Sequence, residues 1–558
     1  MPKLVECVPN FSEGRDMDVI NKISQAIKSV DGVKLLDVDP GADTNRTVVT
    51  FVGSPEAAVE AAFLAIQSAA ELIDMSKHTG AHPRMGATDV CPFIPVSDMS
   101  VDGCIALATQ LGERVGEELG IPVYLYGKAA RRPEREKLPD IRKGEYEALP
   151  EKLKDPEFQP DFGPATFNKR AGATVVGVRD FMLAYNVNLN TRDRSLAHDI
   201  ALELRESGRA KRDKTGEIIR HPDGSAVKIP GKLEFVQGAG WYLDEYGYAQ
   251  VSMNLHNLQV TGIHTAFEAV REEAAKRGLR VTGSELIGLT PKQALLDAGI
   301  FYLHKQGKHS GVPEHEIIHT AILSLGLNDT TPFDPQERVI EYAIADHTPL
   351  LVDKTITGFV DELSSDSPAP GGGSVSALSG ALSAALSCMV ASVTFGKREY
   401  KRHNKTMEDV AIRAQDLKEQ FLRLIDEDSE SFNAFMATLR LPKKSDADKA
   451  ARADAMQSAA KGMTEVPLRT LKLTDELLDL ADQVVKKGNV NAVSDAGVAA
   501  LQAEAAATGA YFNVRINLPQ IDDDDYKSRI SDEAETLVDT IRKKSLRIGR
   551  RVKKQFQS

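Results

Sequence analysis

The chain has 558 residues, of which 42% are hydrophobic and 27% charged, which is room for three or four units of about 150 residues and unlike a disordered segment. Lys and Arg total 69 against 81 Asp and Glu, and the net charge of −12 excludes a general nucleic-acid footprint. Cys7, Cys91, Cys104 and Cys388 form no CxxC pair and are too scattered for a disulfide framework, so a reducing cytosol fits; the N-terminal Met1–Glu6 carries no apolar signal core.

Short runs rich in Val, Leu and aromatics, bounded by Gly, Pro or Asp, predict strands at Leu4–Pro9, Lys34–Asp39 and Thr47–Val52. A helix follows over Ser54–Ile73, then a strand-like run Val90–Val96, a helix over Val101–Leu119, and strands at Val123–Tyr126, Thr174–Val178 and Phe181–Val187. The second pass holds a helix over Ser195–Glu206, a strand at Gln250–Asn254 and a helix over Ala266–Arg277. Between them Gly208–Lys232, with seven basic and three acidic residues, reads as a surface insertion. This half is α+β, in two subdomains of similar size.

Beyond a join at Asp346-His347-Thr348-Pro349 the strand signals stop. Helical runs cover Ser374–Thr394, Met407–Met436, Thr464–Lys487, Val493–Thr508 and Asp532–Lys554, and imply a helical bundle. The low-charge stretch Ser374–Phe395, full of Ser, Ala and Gly, reads as a buried helix rather than a membrane span. Asp522–Asp525 reads as a turn opening the last helix. The expected division is 1–179 and 180–330 for the two subdomains, 331–352 as linker and 353–558 for the helical domain.

Six segments carry candidate chemistry. His78–Asp89 places two His, Arg84 and Asp89 in a Gly-rich turn, where Pro83 biases His82 toward extended backbone; an aimed imidazole suits acid–base work, and a hydrogen-bonded surface loop is the plainer alternative. Asp37–Arg46 is a turn by composition, although its carboxylates could hold an amino or imino group. Asp161–Gly172 combines Phe rings, amides and the cations Lys169 and Arg170, a mixture suited to a flat ring bearing carboxylates. Gly371-Gly372-Gly373 precedes a helix, either as an anion-facing set of amides or as a turn. In Asp426-Glu427-Asp428-Ser429-Glu430 helical spacing puts Asp426 and Glu430 on one face and Asp428 on another, where it can meet a cleft. Finally His315-Glu316-Ile317-Ile318-His319 matches H-E-x-x-H, with Glu337 or Glu341 as a possible third zinc ligand.

Longer motifs then resemble one family. Val8-Pro9-Asn10-Phe11-Ser12-Glu13-Gly14-Arg15, His82-Pro83-Arg84-Met85-Gly86, Asp89-Val90-Cys91-Pro92-Phe93-Ile94-Pro95, Pro122–Gly127, Asp161-Phe162-Gly163-Pro164 and Gly240-Trp241-Tyr242-Leu243 resemble glutamate formiminotransferase. Pro370-Gly371-Gly372-Gly373-Ser374, Arg440-Leu441-Pro442-Lys443 and Gly509-Ala510-Tyr511-Phe512-Asn513-Val514 are similar to formiminotetrahydrofolate cyclodeaminase. The resemblance, to the bifunctional formimidoyltransferase-cyclodeaminases, covers nearly the whole chain in order.

It implies a multidomain fold: an α+β transferase half whose two subdomains face their sheets across a folate channel, with outer helices, followed by an all-α cyclodeaminase domain. It implies transfer of the formimino group of N-formimino-L-glutamate to N5 of tetrahydrofolate, then ring closure to 5,10-methenyltetrahydrofolate with release of ammonia, in histidine breakdown. By the same resemblance His82 and Asp428 are catalytic, and Gly163, Pro164, Ala165, Thr166, Phe167, Asn168, Lys169, Arg170, Ala171 and Gly172 bind folate. Tetrahydrofolate is a co-substrate, with no metal or redox cofactor. The implied partners are formiminoglutamate, folate polyglutamates and further copies of the chain in the cytoplasm, with neither nucleic acid nor membrane. H-E-x-x-H is not a hallmark of this family. The competing readings are a zinc hydrolase using His315, Glu316 and His319, and an inactive folate-binding or assembly protein.

Overall fold

The computed structural model describes residues 3–42, 44–80, 82–243, 246–345 and 349–557. Asp43 and Ala81, within two of the candidate loops, and Asp346, His347 and Thr348 of the expected join lie outside the described residues. The chain forms two compact units, residues 1–295 with 325–345, and residues 296–324 with 346–558.

The first unit opens with β1 (Leu4–Cys7), β2 (Asn10–Phe11), α1 (Met17–Lys28), β3 (Val33–Gly41), β4 (Arg46–Gly53), α2 (Pro55–Leu72), β5 (Thr88–Ser97), α3 (Val101–Glu118), β6 (Val123–Gly127), α4 (Leu138–Arg142), α5 (Glu145–Lys152) and β7 (Thr174–Val178). Among the described residues these strands make a seven-stranded mixed sheet. β1 and β2 occupy one position between β4 and β5, interrupted at Pro9, which has no N–H to give a ladder. Edge strand β3 pairs only β4, which tolerates Pro40. β5, β7 and β6 run parallel. Asp16, Ser54 and Ser100 cap α1, α2 and α3 by accepting from free amides of the first turn.

Alternation along the strands sorts the side chains. Val5, Cys7, Phe51, Cys91 and Phe93 enter the apolar core with residues of α1, α2 and α3. Their neighbours Glu6, Val8, Asn10, Arg46, Val48, Thr50, Val90 and Pro92 line cavities on the other face.

A second, antiparallel sheet follows. Its elements are β8 (Leu183–Leu189), α6 (Arg194–Leu204), β9 (Arg209–Ala210), β10 (Lys228–Ile229), β11 (Val236–Leu243), β12 (Tyr248–Leu255), α7 (Ile263–Lys276) and β13 (Val281–Ile287), with order β11-β12-β8-β13. The 208–232 insertion is an exposed arm whose short strands β9 and β10 pair only with each other. The chain continues through α8 (Lys292–Lys305), α9 (Glu314–Leu325), α10 (Pro335–Arg338) and α11 (Ile340–Ala343).

The second unit is helical: α12 (Ile356–Leu363), α13 (Gly372–Thr394), α14 (Asn404–Thr438), α15 (Asp446–Lys487), α16 (Val493–Asn517) and α17 (Asp524–Gln555). Residues 296–324, expected with the transferase subdomain, group with this body. Within it His304 Nε2 meets Glu408 Oε1 at 3.0 Å, and the Cys388 thiol reaches the Gly311 carbonyl at 3.4 Å. α15 starts well before the expected Thr464, because Ser445 and Asp448 form a capping box and Pro467 does not stop the helix. Asp523, inside the expected acidic turn, caps α17.

By length and composition α13 could cross a membrane, yet it packs against α14, α15 and α16 and over half of its apolar stretch is buried. Its small residues let neighbours close in. Ser383 Oγ donates to the Ala499 carbonyl at 2.7 Å, and a Cβ on Gly380 would lie 2.4 Å from the ring of buried Phe421. Gly380→Ala therefore sets a helix-propensity gain of about 1 kcal/mol against overpacking of about 1–3 kcal/mol. With the ring enclosed, overpacking wins, and thermal inactivation of the helical body's activity should move to lower temperature; an unchanged or higher midpoint would refute this packing.

Candidate active sites

The loop between α2 and β5 is held by charge. Arg84 forks onto Glu145 Oε2 at 2.8 Å and Glu147 Oε1 at 2.6 Å, both from α5, and these carboxylates raise its pKa. Its Nε donates to His78 Nδ1 at 3.3 Å, leaving His78 Nε2–H to donate to the Asn45 carbonyl at 3.0 Å. Fully buried Asp89 accepts the Met85 amide at 3.0 Å and pairs with Arg142 of α4. Ser12 Oγ donates to the Gly86 carbonyl at 2.7 Å.

On this braced loop His82 has a defined tautomer. Nδ1–H donates to the Pro83 carbonyl at 2.7 Å, and Nε2 accepts from Arg46 Nη1 at 2.9 Å. A guanidinium cannot accept, so the lone pair resides on Nε2. Burial first, then the Arg46 charge, lower the His82 pKa below the usual imidazole value, with Arg142 adding to the effect and the Pro83 carbonyl and Asp89 opposing it. The ring is a neutral base at pH 7. Arg46 also donates to Asn10 Oδ1, while its buried Nε has no partner among the described residues.

Arg46 and Asn10 line a cavity of about 880 Å³, whose rim carries Lys128, Lys137, Arg142 and Arg179 against Glu136 and Asp180. Excess cations beside a neutral imidazole suit a carboxylate-bearing substrate.

The expected folate segment lies beside the His82 loop, backbone to backbone. The Ala87 amide donates to the Ala171 carbonyl at 2.8 Å, and the Ala173 amide to the Met85 carbonyl at 3.1 Å. Gly163 and Gly172 both have positive φ, and a Cβ on Gly172 would sit 2.3 Å from the Met85 carbonyl oxygen. Phe167 stacks near Tyr146, with centroids 5.4 Å apart, and Asn168 Oδ1 takes the Arg170 and Ala171 amides at 3.2 and 2.9 Å. Pro164 is half-buried, and Ala165, Thr166 and Lys169 are exposed. Arg170 is spent locally: Nε donates to the Ala70 carbonyl at 3.3 Å and Nη2 to that of Glu71, on the last turn of α2. Positive charge at the cavity comes instead from Arg46, at the end of the expected Asp37–Arg46 turn, and from Lys128, Lys137, Arg142 and Arg179, which the sequence reading did not single out.

In the helical unit Asp428 is bound to the start of α13. Ser374 Oγ donates to Oδ2 at 3.1 Å, and a Cβ on Gly373 would overlap the carboxylate, 2.0 Å from Oδ1. Burial raises the Asp428 pKa, while the hydroxyl and amide of Ser374 pull it back. Its neighbours differ. Asp426 accepts the Leu351 amide at 2.6 Å, Glu427 pairs with Arg469, and Glu430 is exposed. Asp428 faces a cavity of about 350 Å³ walled by Phe432, Phe435 and Met463, with Asn513, Asn517 and Gln520 on its polar side. Ser374 and Asn513 stand in quoted motifs but were given no role in the sequence reading, and Phe432, Phe435, Met463, Asn517 and Gln520 were missed, although a three-to-four residue spacing puts Asp428, Phe432 and Phe435 on one helix face.

The H-E-x-x-H segment lies on α9, where His315 is exposed and turns to its neighbour Glu316, 3.5 Å away. Glu341 accepts the Lys292 amide at 2.8 Å. Among the described residues no three His, Cys, Asp or Glu side chains are grouped to hold a metal, so the zinc-hydrolase alternative finds no ligand geometry here.

A neutral base beside a cationic cavity and a half-buried carboxyl facing an aromatic one are two separate candidate sites for proton transfer. The chain matches the family models for the formiminotransferase domain, N-terminal subdomain, over residues 4–179, the formiminotransferase domain over 184–345, and formiminotransferase-cyclodeaminase over 355–536. It is 47% identical over 532 residues to formimidoyltransferase-cyclodeaminase of Mus musculus, 95% of either chain. It is 48% identical over 310 residues to glutamate formimidoyltransferase of Thermoplasma acidophilum, covering 55% of this chain and 95% of that one. The solved formiminotetrahydrofolate cyclodeaminase of Thermotoga maritima aligns over 36% of this chain and 96% of its own, at 26% identity and a TM-score of 0.33. The chain belongs to the formimidoyltransferase-cyclodeaminase family.

Two outcomes check the first site. Arg46→Ala removes a cation that disfavours imidazolium, so the acid limb of transfer kcat/KM should move to higher pH in a profile over about pH 5–8; a fixed or lower limb refutes the contact. Arg170→Ala should lower thermal stability by about 1 kcal/mol through loss of the α2 cap and leave KM for tetrahydrofolate nearly unchanged, whereas a large KM increase with unchanged stability would return Arg170 to the ligand.

Proposed function

We propose that the chain transfers the formimino group of formiminoglutamate to N5 of tetrahydrofolate at His82 and closes 5-formiminotetrahydrofolate to 5,10-methenyltetrahydrofolate, with loss of ammonia, at Asp428. One observation supports this pairing above others: His82 bonds to Arg46 in the wall of one cavity, Asp428 lines the other, and burial moves each toward its uncharged form.

In the first step N5 attacks the formimino carbon and becomes acidic as the C–N bond forms. His82 Nε2 takes that proton, with its ring fixed through Nδ1–H to Pro83. The imidazolium then protonates the departing nitrogen, the carbon–nitrogen bond to glutamate breaks, and the base is regenerated. The cations of the same cavity suit the carboxylates of both substrates. Residues from both sheet-bearing parts of the first unit, Val90 and Pro92 with Phe235 and His256, line that cavity, which supports a channel between facing sheets and the division of the transferase half near residue 179.

In the second step N10 attacks the formimino carbon. Burial favours the protonated form of Asp428, which can give its proton to the leaving nitrogen; that nitrogen departs as ammonia, and the carboxylate takes the N10 proton. Phe432 and Phe435 offer faces for a flat ring. Folate polyglutamates as substrates, self-assembly and a cytoplasmic location belong to the same reading.

The test is an absorbance assay for methenyltetrahydrofolate with two separating variants. His82→Ala should lose about 100-fold or more of transfer and still cyclise supplied 5-formiminotetrahydrofolate. Asp428→Asn should transfer normally and accumulate 5-formiminotetrahydrofolate. Normal transfer by folded His82→Ala, or normal ammonia release by Asp428→Asn, would reassign the respective step.

A further inference from the structure

Among the described residues the cavity face of the first sheet carries one buried carboxyl without a partner. Glu6 lies on β1, only 7% exposed, flanked in register by Val52 of β4 and Ile94 of β5. Its carboxyl makes no hydrogen bond or ion pair among the described residues; burial pushes it up to about 7, opposed only by the charge of Arg179. It borders a cavity of about 630 Å³ that shares Val8, Arg179 and Met182 with the cavity containing Arg46. Asp37, Glu337 and Arg338 are the other charged groups lining it. A buried carboxyl with no donors is costly to keep where an apolar residue would match its neighbours. The missing donors fit a ligand.

The spacing indicates which ligand. β1 and β2 share one position in the sheet, so Glu6 and Asn10 are about 13 Å apart along it. Asn10 receives Arg46, and Arg46 reaches His82. A pterin with N5 at the His82 end turns its opposite edge, the 2-amino group and N3–H, along the strand toward Glu6. The formimino carbon bonds to N5, so its own N–H groups stay at the His82 end. We propose that Glu6 is the specificity residue for the pterin ring, accepting the paired N–H donors of its 2-amino–N3 edge in a bidentate contact. This rests on the folate-transferase reading above.

Calorimetric titration of the full chain with 5-formyltetrahydrofolate, in buffers of different ionisation enthalpy, tests it. Glu6→Gln should weaken binding on the order of ten-fold or more, since a charged bidentate contact is lost, and leave KM for formiminoglutamate within about two-fold. Wild type should release close to one proton per site below about pH 7 as Glu6 ionises against the ring, and the variant none. An analogue lacking the 2-amino group should bind wild type as weakly as the parent binds the variant; this arm needs no substitution and stands even if Glu6→Gln fails to fold. Unchanged binding of 5-formyltetrahydrofolate, equal losses for both substrates, a loss confined to formiminoglutamate, or an analogue that binds as tightly as its parent would each overturn the assignment. A wild-type protein that binds no reduced folate overturns the transferase reading with it, whereas folate turnover without this discrimination overturns the Glu6 assignment alone.

Discussion

Strand alternation in the seven-stranded sheet is the constraint on which the transferase site depends. Because successive residues point to opposite faces, the apolar set that fixes α1, α2 and α3 also fixes which residues meet the cavities. A one-residue slip of β4 would send Arg46 into the core and Val49 into the cavity. The positions of Asn10, Arg46 and Glu6 are therefore guaranteed by Val5, Cys7, Phe51 and Phe93, which take no part in the chemistry. The His82 loop joins this frame through ionic contacts from α4 and α5 and through Met75, Met85 and Ala87, which enter the apolar core.

The two sites use one physical device with opposite sign. Removing a group from water disfavours its charged form. Burial shifts the His82 imidazole toward its neutral, basic form and the Asp428 carboxyl toward its protonated, acidic form. Local hydrogen bonds then tune each group: the Pro83 carbonyl supports the charged imidazole, and Ser374 supports the charged carboxylate.

Much of the fold is legible in the sequence. The β-rich and helix-rich halves separate by composition and period, and the runs over Ser54–Ile73, Val101–Leu119 and Val123–Tyr126 are helix, helix and strand within a residue or so. The separation of Asp428 from Asp426 and Glu430 also follows from helical spacing. What is not legible depends on pairing across long separations. The Asn10↔Val48 register brings Arg46 near His82, and no local pattern announces it. Arg170 reads as a ligand cation because nothing near it in sequence shows that α2 ends alongside. The match at His315–His319 has the right letters on an exposed helix face, since a five-residue pattern carries no information about what surrounds it.

The hairpin of α8 and α9 has a consequence for dividing the chain. Gly311, at its bend, lies so close to α14 that a Cβ there would fall 2.5 Å from the Ala411 backbone, and Cys388 binds its carbonyl. A cut near 330 or 345, which sequence boundaries invite, takes this hairpin away with the transferase piece. The remaining helical fragment would carry a bare groove over Ala411 and Cys388, and the excised piece two helices with their packing faces open to water. Such fragments are expected to self-associate or bind chaperones, so the helical body needs a segment that the boundaries in sequence assign elsewhere.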